Sequence, residues 1–238
     1  ERMMKEDKCT VILLAAGKGT RMGSEIPKQF MNILDKPVIY YSLNCFQNSR
    51  LIDEVIVVAS KEMLPYCKKE IVDKFRFTKV RHMIAGGAER YDSVYEGLKC
   101  CENTSYVFIH DGARPFVTDE MLSRGYEEVK ASGACIAGVP TKDTVKLSDG
   151  DKMVVETPDR NSVWMVQTPQ IFDYSLIRRA YDRLQNFNKE GITDDAMVLE
   201  TMEEHPVQLF MGSYRNIKIT TEEDLEIAEL FAKKLKKM

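Results

Sequence analysis

Along the first 140 residues, short apolar runs alternate with segments whose apolar positions recur every three or four residues. Residues 9–14, 54–59, 79–84, 106–109 and 135–139 are apolar runs rich in β-branched side chains. Such runs predict parallel strands buried on both faces. Between them, 37–47, 61–74, 90–101 and 118–132 carry helical periodicity, with Pro37 suited to a first helical position and Thr118 to a cap. Strands alternating with helices predict βαβ units and a doubly wound, mostly parallel α/β sheet. In such sheets ligands sit beyond the carboxyl ends of the strands. The loops 15–28, 85–90 and 110–115, which follow the first, third and fourth strands, are therefore where chemistry is expected.

The pattern breaks after Pro140. Two short alternating segments, 144–147 and 153–157, flank the turn Ser148-Asp-Gly-Asp151 and predict a β-hairpin that leaves the main sheet. A two-stranded ribbon has no core of its own, so this protruding arm is expected to pack on a partner subunit. Helices are predicted again over 174–186 and 193–203, then a strand pair near 207–211 and 216–219. A last helix is predicted from Thr221, where Glu222, Glu223 and Asp224 complement the helix dipole.

Composition narrows the classes. A chain of 238 residues, 44% hydrophobic and 30% charged, can build a globular core without metal or disulfide staples. A net charge of −3 disfavours non-specific nucleic-acid binding, so anionic ligands must be met by local Lys and Arg clusters. The six cysteines include no CxxC pair and read as buried, reduced thiols. There is no apolar run long enough to cross a membrane and no signal-peptide pattern. A cytoplasmic protein is expected, with a charged start (residues 1–8) that frays and a Lys-rich tail that is a solvated helix end.

The loop after the first strand, LLAAGKGTRMGSEIPKQ from Leu13, fits neither familiar phosphate template. It lacks the GxxxxGK[ST] of a Walker loop, and Gly17, Gly19 and Gly23 give GxGxxxG in place of the dinucleotide GxGxxG. The second strand also ends at Ala59-Ser60, without the acid that binds a ribose in hydride-transfer enzymes. What remains is a turn of small residues, Ala15, Ala16, Gly17 and Gly19, followed by the cations Lys18, Arg21 and Lys28. Small residues let backbone N–H groups approach phosphates closely. The cations can supply charge where a phosphoryl centre gains it, and Pro27 stiffens the backbone at Lys28.

LAAGxGxRM followed by PKQ resembles the opening of nucleotide-sugar pyrophosphorylase-type transferases. Further along, GGAERYDSVYEGL from Gly86, HDGARP from His110, TPDR from Thr157, QTPQIF from Gln167, TDD from Thr193 and NIKIT from Asn216 occur in order. Together they resemble the 2-C-methyl-D-erythritol 4-phosphate cytidylyltransferase family, from Cys9 to the last helix.

The resemblance implies a Rossmann-like nucleotidyltransferase fold and a reaction that joins CMP from CTP to a polyol phosphate, with Mg²⁺ and release of pyrophosphate. It implies Arg21 and Lys28 as the catalytic cations at the α-phosphate. Ala15, Ala16, Gly17, Gly19, Gly86, Gly87, Ala88, Ser93, Asp111 and Lys218 would bind CTP. Asp111, Arg114, Thr144, Arg160, Thr168 and Thr193 would surround the acceptor. The metal would be held mainly by the CTP phosphates. On this reading residues 1–140 are the nucleotide-binding part, 141–164 a dimerisation arm serving the other protomer's site, and 165–238 the remainder of the α/β unit. A sister family that makes CDP-ribitol is the alternative; Ala15-Ala16 and Gly112-Ala113 favour the methylerythritol family. His110 ends a strand and is given no catalytic role, and His82 and His205 lack the neighbours of a triad.

Overall fold

In the computed structural model, which describes residues 7–17 and 26–235, the first apolar run forms β1 (Cys9–Ala15). A small antiparallel ribbon, β2 (Asn32–Ile33) with β3 (Lys36–Pro37), leads into α1 (Val38–Asn48). β4 (Glu54–Ala59) follows, then a short α2 (Leu64–Tyr66) that runs on as a π-helical turn over Cys67–Asp73. Next come β5 (Val80–Ala85), α3 (Arg90–Lys99), β6 (Tyr106–Asp111), α4 (Asp119–Ser132) and β7 (Ala134–Pro140). The arm holds β8 (Leu147–Ser148) and β9 (Val154–Glu156). The chain returns as β10 (Trp164–Asp173), α5 (Tyr174–Leu184), α6 (Asp195–Glu203), β11 (Gln208–Met211) and α7 (Glu222–Leu235).

The central sheet has seven strands in the order β11-β7-β10-β6-β1-β4-β5. β1 pairs in parallel with β4 and β6, and β4 with β5, so the carboxyl ends of four strands share one edge. The side chains of β1 alternate between the two cores. Leu13 joins Phe46 of α1 and Leu122 of α4 on one face, and Ile12 joins Val94 and Leu98 of α3 on the other. That two-sided burial is why these strands read as unbroken apolar runs. The fold class is the expected one: mostly parallel and doubly wound.

Two expectations are corrected. The run 216–219 forms no strand and does not pair with 207–211; β11 instead extends the sheet in parallel on β7. The sequence reading also missed β10, which lies antiparallel between β6 and β7. Its polar residues and Pro169 disguise it, since a proline argues against a central strand. The pairing with β7 shifts register between Val166 and Gln170, and that irregular stretch accommodates the proline. The charged start expected to fray lies largely outside the described residues, as does the end of the Lys-rich tail.

Thr118 accepts from Met121 N at the start of α4, as its capping role requires, and Gly133 ends the helix at φ 75°. Within α4, Gly125 packs directly on the sheet. A Cβ there would stand 2.2 Å from Ile171 Cδ1 and 2.9 Å from Phe210 Cζ. In an open helix, replacing glycine by alanine stabilises by about 0.5–1 kcal/mol. Here overpacking, at about 1–3 kcal/mol, wins. We expect Gly125→Ala to be less stable than the parent in denaturant unfolding; a higher midpoint would contradict this packing.

Candidate active site

A cleft of about 720 Å³ opens at the carboxyl ends of β1, β4, β5 and β6. Its walls bring together Ala16, Gly17, Lys28, Gly86, Gly87, Ala88, Ser93, Asp111 and Lys218, all singled out in the sequence. Gly19, Lys18 and Arg21 lie outside the described residues. Ala15 ends β1 almost fully buried and does not line the cleft.

The turn after β1 is tied down by a residue the sequence reading overlooked. Gln29 is buried, and its amide donates to the carbonyls of Ala15 (2.6 Å) and Gly17 (3.0 Å). It stands beside Lys28 in a 3₁₀ turn, Lys28–Phe30, that opens after Pro27 at φ −57°. Pro27 therefore presets the backbone that presents Lys28, and Gln29 links that turn to the small-residue loop.

The loop after β5 approaches this turn closely. A Cβ on Gly86 would come within 2.6 Å of Ala16 Cβ and of Ser93 Oγ, and one on Gly87 within 2.3 Å of Asp92 Cβ. Only glycine fits at these two positions. The opening of α3 then closes as a capping box, in which Glu89 and Asp92 each accept from the other's backbone N–H. Ser93 accepts from Gly87 N (3.2 Å) and donates to Glu89 O (3.2 Å), so its hydroxyl shapes the loop.

Asp111 ends β6 and is 8% exposed. Its Oδ1 accepts from Arg90 Nε at 3.2 Å and its Oδ2 from Lys218 Nζ at 2.8 Å. Burial alone would raise this carboxyl. The charges of Arg90 and Lys218 outweigh it and hold the group well below the usual carboxylate range. Arg90 turns its guanidinium fork to the fully buried Asp195, at 3.1 and 2.9 Å. Asp195 also accepts from Tyr181 Oη (2.6 Å), while Gln170 Oε1 takes the N–H groups of Asp195 and Ala196. Arg90 had no separate role in the sequence reading. Its only signal was its place in GGAER, a cation one loop away from a strand-end acid.

Arg114, expected around the acceptor, does not bond the Asp111 carboxylate, although its charge helps to lower that group. Its Nη1 donates to Asn216 O at 2.8 Å, and Arg90 fills the place at the carboxylate. Lys218 does reach Asp111, from a segment whose backbone is tied to the turn after β6 by Ile219 N to Ala113 O. Thr168 is buried, and its hydroxyl meets Asp111 N (3.1 Å) and His110 Nδ1 (3.0 Å). Thr144 and Arg160 sit exposed on the arm, with Arg160 Nη1 3.4 Å from Lys142 O. Thr193 is exposed and its hydroxyl points to Met197 Sδ at 3.6 Å. None of these three lines the cleft of its own chain.

A mostly parallel sheet that delivers a small-residue turn, a lysine, a glycine loop and a cation-flanked acid to one edge fits the class of α/β nucleotidyltransferases. Comparison with known proteins narrows the class. The family described as 2-C-methyl-D-erythritol 4-phosphate cytidylyltransferase matches residues 9–234. A protein of that name from Lachnoclostridium phytofermentans is 48% identical over 223 residues, covering 94% of this chain and 95% of the relative. Among solved structures, 4-diphosphocytidyl-2C-methyl-D-erythritol synthase from Anaerococcus prevotii superposes with a TM-score of 0.84 at 31% identity, covering 95% and 96% of the two chains. The Francisella tularensis 2-C-methyl-D-erythritol 4-phosphate cytidylyltransferase gives 0.76 at 32% identity, covering 94% and 99%. The chain belongs to the 2-C-methyl-D-erythritol 4-phosphate cytidylyltransferase family.

His110, beside Asp111, is fully buried, and burial pushes its imidazole down to about 4 from 6.5. The unfolded chain takes up this proton near 6.5 and the native protein only near 4, so between those values the native state binds fewer protons. Stability is then complete above about 6.5 and is lost as pH falls towards 4, by roughly 3 kcal/mol in all. We expect denaturant unfolding of the parent to weaken over this window more steeply than that of His110→Gln, which lacks the titrating group. Parallel curves would exclude His110 as the source.

Proposed function

We propose that the protein catalyses CTP + 2-C-methyl-D-erythritol 4-phosphate → 4-diphosphocytidyl-2-C-methyl-D-erythritol + pyrophosphate, a step in isoprenoid precursor synthesis. A phosphate oxygen of the acceptor forms a bond to the α-phosphorus of CTP, the bond from that phosphorus to the bridging oxygen breaks, and pyrophosphate leaves. Such transfers ask the protein for positioning and charge, with little covalent work. The observation that carries this reading is the convergence of Ala16–Gly17, Lys28, Gly86–Ala88 and the Asp111–Lys218 pair on one cleft, in a chain of this family.

In this assignment the turn at Ala16 and Gly17 receives the triphosphate, and Lys28, with Arg21, stabilises the charge that gathers at the α-phosphorus. Gly86, Gly87 and Ala88 present backbone to the cytosine edge, from a loop whose close packing on Ala16 and Asp92 a Cβ at either glycine would disturb. Asp111 holds Arg90 and Lys218 in place at the mouth of the acceptor side. Mg²⁺ is expected with the nucleotide. The described residues hold no group of three or more His, Cys, Asp or Glu that could cage it, and both Asp111 oxygens are engaged by cations. The ion is assigned to the CTP phosphates, as the family resemblance implies, and no step depends on a protein ligand to it.

The same reading makes the protein a homodimer that works in the cytoplasm. The arm supports the first point: Met153, Val154 and Val155 are 66, 58 and 63% exposed, with no core beneath them. Thr144 and Arg160 lie on this arm and outside their own cleft, as residues that complete a partner's acceptor site would. Among the described residues no helix is long and apolar enough to cross a membrane.

Assay of the purified protein with CTP and either 2-C-methyl-D-erythritol 4-phosphate or ribitol 5-phosphate tests the substrate. Faster turnover of ribitol 5-phosphate would overturn the assignment. Lys28→Ala should lose roughly 100-fold or more in kcat with the fold intact by circular dichroism, the scale of losing one transition-state donor. An unchanged rate removes Lys28 from the mechanism. Arg160→Ala should raise the acceptor's KM by roughly tenfold or more while that of CTP stays put, since an arginine–phosphate contact carries charge-assisted hydrogen bonds. Equal effects on both substrates would remove Arg160 from the acceptor phosphate.

A further inference from the structure

His110 lies directly behind Asp111, fully buried, with its ring edge-on to Phe46 of α1 at 5.4 Å and 84°. It touches two polar atoms, Arg114 O through Nε2 (2.9 Å) and Thr168 Oγ1 through Nδ1 (3.0 Å). These two contacts determine every proton in the chain of bonds. A carbonyl oxygen only accepts, so Nε2 carries the hydrogen. In a neutral imidazole Nδ1 is then a bare acceptor, and the Thr168 hydroxyl must donate to it. That leaves the lone pairs of Thr168 Oγ1 to accept from Asp111 N, which lies 3.1 Å away. The series runs from Asp111 N–H to Thr168, from the Thr168 O–H to His110, and from the His110 N–H to Arg114 O.

The two ends of that series lie on one turn. Arg114 N donates back to Asp111 O at 2.9 Å, so His110 spans the inside of the loop that carries the site's acid. Thr168 is braced from the other side, where Asn216 Nδ2 donates to its carbonyl at 2.8 Å. Arg114 Nη1 binds the Asn216 carbonyl, and two residues on, Lys218 binds Asp111. The elements meeting at Asp111, β6, β10 and the 213–218 segment, are thus bonded to one another through His110, Thr168 and Asn216.

We propose that His110 and Thr168 act as a pair of positioning residues that set the Asp111 backbone, and through it the Arg90 and Lys218 cations, for phosphoryl transfer. Thr168 then serves the reaction through Asp111. Its hydroxyl proton is committed to His110, and turning it towards an acceptor oxygen would leave Nδ1 buried and unpaired. This inference rests on the proposed role of Asp111, and its test separates the two.

His110→Gln keeps a donor near Arg114 O and removes the acceptor for Thr168, whereas His110→Asn keeps an acceptor near Thr168 and removes the bond to Arg114. Thr168→Val removes the hydroxyl at equal shape, and Thr168→Ser restores it. Steady-state kinetics with CTP and 2-C-methyl-D-erythritol 4-phosphate provide the readout. For His110→Gln and Thr168→Val we expect kcat to fall roughly tenfold to a hundredfold, as misplacement of a charged centre does. The KM values should stay within about twofold, the mark of an interaction realised in the transition state. The double variant should be no worse than the weaker single one, because both remove the same link. His110→Asn should retain more activity than His110→Gln, and Thr168→Ser should recover most of what Thr168→Val loses.

Multiplying effects in the double variant overturn the pairing. So does a His110→Gln enzyme with parental kinetics, even if its melting temperature falls. A Thr168→Val enzyme whose change is confined to acceptor KM would make Thr168 a direct ligand and sink the proposal; that result decides the matter even if His110→Gln fails to fold. Asp111→Asn is the control. Parental kinetics there would remove Asp111 from the site reading itself, whereas damage there with an intact His110→Gln enzyme removes only the link through His110.

Discussion

The buried negative charge of Asp111 is the constraint around which the site is organised. A carboxylate at 8% exposure is tolerable only with full compensation, and two cations provide it from opposite directions. Each cation brings a distant piece of chain with it. Arg90 opens α3 immediately after the Gly86–Gly87 loop, and Lys218 comes from the segment beyond β11. Arg90 in turn neutralises Asp195, whose own burial is supported by Tyr181 and Gln170. One charge thus couples β6, α3, α6 and the 213–218 segment, and the cleft takes its shape from how they meet.

Close packing supplies the rest of the shape. The turn after β1 and the loop after β5 touch, because glycine at 86 leaves no side chain between Ala16 and Ser93. Gln29 then ties down the carbonyls of Ala15 and Gly17, where the chain leaves β1. Apart from the Gln29 amide, these contacts are made by backbone and small side chains. They are the reason a region so rich in small residues can hold a defined geometry.

Much of this architecture was legible in the chain. Strands buried on both faces announce themselves as apolar runs, and the predicted β4 matched to the residue, Glu54–Ala59. β10 was not legible, because it is a strand whose side chains serve the site. Gln167, Thr168 and Gln170 are buried yet polar, and each is occupied by a hydrogen bond to a segment far along the chain. Periodicity detects burial against apolar surface and is blind to burial against hydrogen-bonding partners. Arg90 was hidden for a related reason: an arginine in a polar loop is ordinary until two carboxylates from elsewhere converge on it. The absent 216–219 strand is the converse case, an alternating segment whose Asn216 and Lys218 are used as polar contacts and whose backbone never joins a ladder.

The residues that resemblance assigns to the acceptor divide accordingly. Asp111 lines the cleft and Thr168 supports it from behind, whereas Thr144 and Arg160 lie on an arm with exposed apolar side chains and no core of its own. An arm of that kind has two physical options, to remain a solvated ribbon or to be covered by another surface. Leaving Met153, Val154 and Val155 in water forgoes about 1.5–3 kcal/mol for each side chain that a partner would fully bury. In the proposed homodimer, covering the arm with a second copy would recover that energy and bring Arg160 to the partner's cleft, whose own chain supplies no arm residue to the acceptor side. On this reading assembly and acceptor recognition are one problem: the nucleotide half of the site is built by the central sheet within one chain, and the acceptor half is complete only between two.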